Sequence, residues 1–124
     1  MGRRQTLGGQ ELEILKIVWR KESSTVRDVY EALLEHRKVA YTTVMTMMNI
    51  LERKGFLKRT LVDRAYLYRP AKPQKQVLRG MVRDFLDRAF NGAAEPLLVH
   101  LVEDERLTEQ DLVEVRRLIR EKSS

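Results

Sequence analysis

Between Ala40 and Arg53 the apolar positions fall on a helical repeat. With Val44 at the zero of a 100° wheel, Met47, Met48 and Leu51 lie within about 60° of it, forming one stripe suited to a core. The opposite arc, roughly 140° to 260° around, carries Thr42, Thr43, Thr46, Asn49, Ile50 and Arg53. These are short hydrogen-bonding groups with one aliphatic, one cation and no acid, so the arc is suited to lie against bases. Gly55 then follows Arg53 and Lys54 as a left-handed stop, with the cations well placed for a helix C-terminus. Two stretches rich in aromatic and β-branched residues come next, Phe56 to Val62 and Tyr66 to Arg69. Asp63, Arg64 and Ala65 between them have the length of a short hairpin loop with an arginine at its tip. Pro70 lacks a donor and closes the second strand.

The same repeat runs through the segments on either side. Leu12, Leu15, Val18 and Trp19, flanked by Ile14, predict a first helix from Gln10 to Lys21 with Trp19 as a core anchor. Thr25 and Asp28 have the spacing of a capping box and open a second helix with the stripe Val26, Val29, Tyr30, Leu33 and Leu34. His36 to Lys38 turns the chain into the third helix. After Pro73 a long amphipathic helix, Gln74 to Phe90, carries Val77, Leu78, Met81, Val82, Phe85 and Leu86. Asn91 and Gly92 end it, Pro96 suits the first turn of a short helix with Leu97, Leu98, Leu101 and Val102, and Thr108 with Asp111 opens a last helix. That last helix presents Leu112, Val115, Leu118 and Ile119.

The chain is therefore mainly α: a winged helix-turn-helix of three helices and a two-stranded hairpin over residues 1–72, then a helical domain over 73–124. Three helices in roughly 50 residues make too small a core alone, so pairing with the same segment of a second chain is the expected solution. The residues expected at that dimer interface are Leu78, Val82, Phe85, Leu86, Leu98 and Leu101, with Leu112, Val115, Leu118 and Ile119 of the last helix.

Charge sharpens this division. Through Lys72 there are 15 Lys and Arg against 8 Asp and Glu, and beyond it 9 against 10, so the first module carries +7 and the rest −1 of the net charge of +6. A basic module joined to a near-neutral tail points to a polyanion for the first part and a protein for the second. The absence of cysteine excludes a disulfide framework, a thiol nucleophile and a thiolate metal site. His36 and His100 lack ligand spacing, so neither a metal nor a cofactor is expected. No Gly-rich phosphate loop or acid–base–nucleophile spacing marks an enzyme. No apolar run approaches the roughly 20 residues of a membrane span, and the N-terminus lacks the apolar segment of a secretory signal, so a cytoplasmic location is expected. Residues 1–8 read as a polar, glycine-punctuated arm whose Arg3 and Arg4 either touch phosphate or serve no function.

Among partners, double-stranded DNA fits best. A last helix that enters the major groove uses Thr hydroxyls on several base edges, Asn on adenine, and a methyl on thymine. The candidate contact residues are Tyr41, Thr42, Thr43, Thr46, Asn49, Arg53 and, from the wing, Arg64, with Lys58, Arg59 and Arg69 lining its strands. RNA fits less well, because Tyr66 and Tyr68 share one strand face and are expected to pack rather than stack on bases. The competing reading is a winged helix that binds protein instead of DNA, since the fold alone does not specify nucleic acid. An acidic or apolar third-helix face would favour it, and this face is neutral to basic.

Four stretches carry a family resemblance: LEILKIVW in the first helix, YTTVMTMMNILERKGFLKR through the third, DRAYLYRP in the wing, and FLDRAFNGAAEPLLVHLVED in the tail. Together they resemble the penicillinase and methicillin-resistance repressors, which are grouped with copper-responsive repressors of similar fold. The resemblance implies a winged-helix DNA-binding domain, a helical dimerisation domain, and a homodimer that represses transcription from a dyad-symmetric operator. It also implies that Thr42, Thr43, Thr46 and Arg64 occupy positions used on DNA. In the β-lactam branch a membrane-bound metalloprotease sensor cuts an Asn-Phe bond within the dimerisation domain; the matching position here is His100-Leu101. The copper branch senses metal through C-terminal cysteines, and this chain has none.

Overall fold

A computed structural model describes residues 6–123, so Arg3 and Arg4 lie outside the described residues. The element order is α1 (Gly9–Lys21), α2 (Val26–Leu34), α3 (Tyr41–Arg53), β1 (Leu57–Val62), β2 (Ala65–Pro70), α4 (Gln74–Phe90), α5 (Ala94–Glu103) and α6 (Glu109–Ser123). The chain divides into two compact units, with the boundary between Val77 and Leu78.

In the first unit the helical stripes become the core. Ile14, Leu15 and Val18 of α1, Val29 and Leu33 of α2, and Val44, Met48 and Leu51 of α3 are buried, each side chain worth roughly 1.5–3 kcal/mol. Leu12, Val26 and Tyr30 of the expected stripes are half-buried, Ile17 is buried although it lay outside them, and three further positions depart for reasons the structure shows. Met47 is only half-buried, because it lies at the edge of the arc centred on Val44. Leu34 is exposed: it ends α2, and the N–H groups of His36 and Arg37 both fold back onto the Leu33 carbonyl, turning the chain away. Trp19 is half-buried rather than a core anchor, and its indole N–H donates to the Lys72 carbonyl at 3.1 Å.

Local chemistry sets the helix ends. At α2 the Thr25 Oγ1 accepts from the Asp28 N–H at 3.1 Å, while the Thr25 N–H donates to the Asp28 carboxylate at 2.9 Å. At the end of α3, Gly55 adopts φ +87°. Its N–H donates to Glu52 O and the Phe56 N–H to Leu51 O, the paired bonds of a Schellman motif. This stop sends the chain directly into the wing. The antiparallel register pairs Leu57 with Pro70 and Val62 with Ala65. The loop is thus Asp63 and Arg64 alone, with φ of 47° and 69°, a pattern of the type I′ turn whose twist suits a hairpin. Ala65 belongs to β2, not to the loop, since its Val62 partner completes the ladder. Ser24, ahead of α2, exchanges both backbone hydrogen bonds with Tyr68, adding a one-residue third strand on the β2 side. Val77 is buried in the first unit, so its apolar side chain belongs to this core rather than to the tail.

In the second unit α4 ends at Asn91 and Gly92, both with positive φ, and the Gly92 N–H returns to Leu86 O. Pro96 sits in the first turn of α5. Thr108 and Asp111 form a reciprocal capping box with bonds of 3.0 and 3.1 Å at the start of α6. Arg117 bridges Glu114 and Glu121 along the same helix. From Leu78 onward none of the described residues is buried. Phe85, Leu118 and Ile119 are 48%, 46% and 60% exposed, while Leu86 and Leu101 are half-buried. Within the unit Phe90 meets Phe85 edge-on at 5.7 Å and His100 at 5.8 Å between ring centroids. Among the described residues no helix is long and apolar enough to cross a membrane, and no group of three or more His, Cys, Asp or Glu is placed to hold a metal ion.

Candidate nucleic-acid interface

Burial of Val44, Met48 and Leu51 fixes the rotation of α3 and turns its other side outward. Tyr41, Thr42, Thr43, Thr46 and Arg53 are all exposed, and Met45 joins them. Ile50 is half-buried, at the margin of this face rather than on it. Tyr41 also makes a contact within the fold. Its ring meets Tyr30 of α2 edge-on, centroids 5.4 Å apart, which ties the first turn of α3 to α2. At the other end Lys54 closes on the Glu11 carboxylate and Thr6 O, each at 3.0 Å, fixing α3 against the start of α1.

The wing supplies the cations. Arg64 stands exposed at the turn, and Lys58 and Arg69 face each other across the ladder, both exposed. Like charges directly opposite on a hairpin repel, and an anion between them would relieve that cost. On the other face Leu57, Arg59 and Leu61 lie opposite Pro70, Tyr68 and Tyr66. Here the tyrosines separate: Tyr68 is buried, whereas Tyr66 is 44% exposed. Both were expected to pack, but Tyr66 is nearer the tip, beyond the reach of the core, and the Arg59 guanidinium covers it at 4.2 Å from the ring centroid.

Asn49 also departs from expectation. Its Oδ1 accepts from the Tyr68 hydroxyl at 3.0 Å and from Arg59 Nη1 at 3.3 Å. Two donors occupy the two lone pairs of that oxygen, so the bidentate pairing with adenine, which needs the same oxygen, is not available in this arrangement. Asn49 instead joins α3 to the wing. A side-chain hydrogen bond between Arg59 and Tyr68 is the largest of the influences that raise the Arg59 guanidinium above its ordinary value. Arg59, expected only as one of the cations lining the wing, is tied to α3 through Asn49, a contact that helical periodicity alone does not show. The signal was in the turn: with a two-residue loop at Asp63 and Arg64, counting back places Arg59 opposite Tyr68.

Three similarities bear on this geometry. The family model described as penicillinase repressor matches residues 7–121. The transcriptional regulator BlaI of Mycobacterium tuberculosis is 37% identical over 105 residues, covering 83% of this chain and 76% of its own. The solution structure of monomeric Bacillus licheniformis BlaI in complex with the blaP half-operator is similar with a TM-score of 0.51 and 25% identity, over 60% of this chain and 92% of that one.

Proposed function

Because the chain belongs to the penicillinase repressor family, we propose that it is a homodimeric repressor whose α3 and wing bind a dyad-symmetric DNA operator in the cytoplasm. The observation that carries this reading is the acid-free outer face of α3, with Thr42, Thr43 and Thr46 exposed and exposed Arg53 and Arg64 at the helix end and wing tip. In this reading α3 lies in the major groove, the threonines meet base edges, and Arg64 anchors the wing to phosphate or the minor groove. The half-operator complex of the Bacillus licheniformis relative supports it.

The second unit serves as the dimer interface. Its support is the unburied apolar surface of α4, α5 and α6, where Leu78, Val82, Phe85 and Leu98 join Leu112, Val115, Leu118 and Ile119 as exposed side chains, flanked by half-buried Leu86 and Leu101. Joining two winged helices makes the second half-site contact intramolecular and raises avidity by about 10² to 10⁴. Cleavage by a membrane-bound metalloprotease at His100-Leu101 relieves repression, because the bond lies within α5 and its scission detaches α6. The test compares sedimentation and operator binding of the full chain with those of Phe85→Asp, which puts a charge on the apolar face. A dimer that becomes a weakly binding monomer supports the assignment. A variant that stays dimeric and binds as tightly refutes the role of the second unit.

A further inference from the structure

Arg59 stands apart from the other wing cations. It is exposed, yet it is held on two sides: Nη1 donates to Asn49 Oδ1 at 3.3 Å, and the guanidinium lies 4.2 Å over the Tyr66 ring. Asn49 in turn is fixed by the Tyr68 hydroxyl at 3.0 Å, and Tyr68 is buried and anchored by backbone bonds to Ser24. The chain of contacts therefore runs from the core, through Tyr68 and Asn49, to an exposed cation. We propose that Arg59 is a phosphate-contacting residue of the DNA interface, with Asn49 and Tyr66 as positioning residues that hold its guanidinium between α3 and the wing. The inference rests on the reading that this chain binds duplex DNA, and it deepens that reading.

Three observations point to phosphate. Asn49 lies three residues after Thr46 and four before Arg53, so a guanidinium docked on it sits along the outward row of α3. The bonds to Asn49 and to the Tyr68 side chain engage two of the five N–H donors, and the donors that remain can meet the oxygens of a phosphate. The partners that hold Arg59 are neutral, an amide and a phenol ring, and the one acid acting on it, Glu52, is the weakest of the influences that raise its basicity. A guanidinium that only braced the fold would be expected against a carboxylate, which would spend its charge. Here the charge is retained and aimed. A free arginine loses much rotamer freedom on binding, and stacking on Tyr66 with a bond to Asn49 removes part of that loss beforehand.

The experiment measures binding of the full-length protein to a fluorescein-labelled synthetic duplex of mixed sequence over a range of salt concentrations. Such binding is dominated by phosphate contacts, and each lost contact flattens the plot of log K against log salt by about 0.9. Arg59→Ala should weaken binding roughly ten-fold and flatten the slope by about 0.9 for each module bound. Arg59→Lys should keep the slope while recovering only part of the affinity. Asn49→Ala should weaken binding with the slope retained, and should have no further effect when combined with Arg59→Ala. Thermal melting identifies any variant whose fold has failed, and Arg59→Gln then stands in for Arg59→Ala. An Arg59→Ala or Arg59→Gln slope equal to that of the wild type overturns the proposal. So does an Asn49→Ala loss that is the same with and without Arg59, which would make Asn49 itself the contact. A wild-type protein with flat salt dependence overturns the DNA reading beneath it as well.

Discussion

The indole N–H of Trp19 donates to the backbone carbonyl of Lys72 at 3.1 Å, joining α1 to the segment that leaves the wing. Lys72 is held a second time by its ammonium, 4.8 Å over the Phe56 ring. Together these contacts fix where the hairpin ends and α4 begins. Trp19→Phe keeps an aromatic ring but removes the donor, leaving a part-buried carbonyl without its partner. The expected loss is about 1 kcal/mol of stability, read as a lower urea midpoint with unchanged m.

Gly55→Ala tests the stop that separates α3 from the wing. An added Cβ meets nothing within 4 Å, so crowding is absent and the cost is that of holding a non-glycine residue at φ +87°. That cost is about 1–2 kcal/mol. Urea denaturation of the variant should show this loss; an unchanged midpoint would mean that the αL conformation carries no strain here.

The parts of the fold governed by local rules were legible in the sequence. Thr25 with Asp28, Thr108 with Asp111, and Gly55 each depend on neighbours within a few residues, and each forms the cap its spacing implied. The stripes on α1 to α3 were readable because one period governs a whole helix. What was not legible depends on contacts between elements. Asn49 sits on the outward row of α3 by periodicity, and only the hairpin's register brings Tyr68 and Arg59 to its oxygen. Leu34 and Trp19 fit their stripes, and only the packing of neighbouring elements decides that one is exposed and the other half-buried. Val77 lies in the first turn of a helix whose later residues belong to another unit, so its burial in the first unit follows from packing and not from the period of its own helix.

The cap of α6 gives a pH dependence with a definite sign. Backbone and side-chain hydrogen bonds from Thr108 hold the Asp111 carboxyl below its ordinary value, and the Arg117 guanidinium does the same for Glu114. A depressed folded value means the contribution is fully present above the ordinary carboxylate range and is lost as pH falls through the folded value. Melting of the full chain should therefore weaken on acidification below the ordinary carboxylate range. Asp111→Asn can still accept the same bonds and should reduce that acid sensitivity; a pH profile identical to wild type would show that the cap does not contribute.

The central claim is that the outer face of α3 reads duplex DNA. The most direct measurement selects random genomic fragments with the purified full-length protein and sequences the bound pool, in parallel for wild type and Thr46→Ala. The wild type should enrich a shared motif with dyad symmetry. Thr46→Ala should keep the half-site spacing and change the preferred bases at one position in each half, with a discrimination loss of about 1–3 kcal/mol if a good base contact is removed. A wild-type pool without a shared motif, or a Thr46→Ala pool identical to it, would contradict the placement of α3 in the groove.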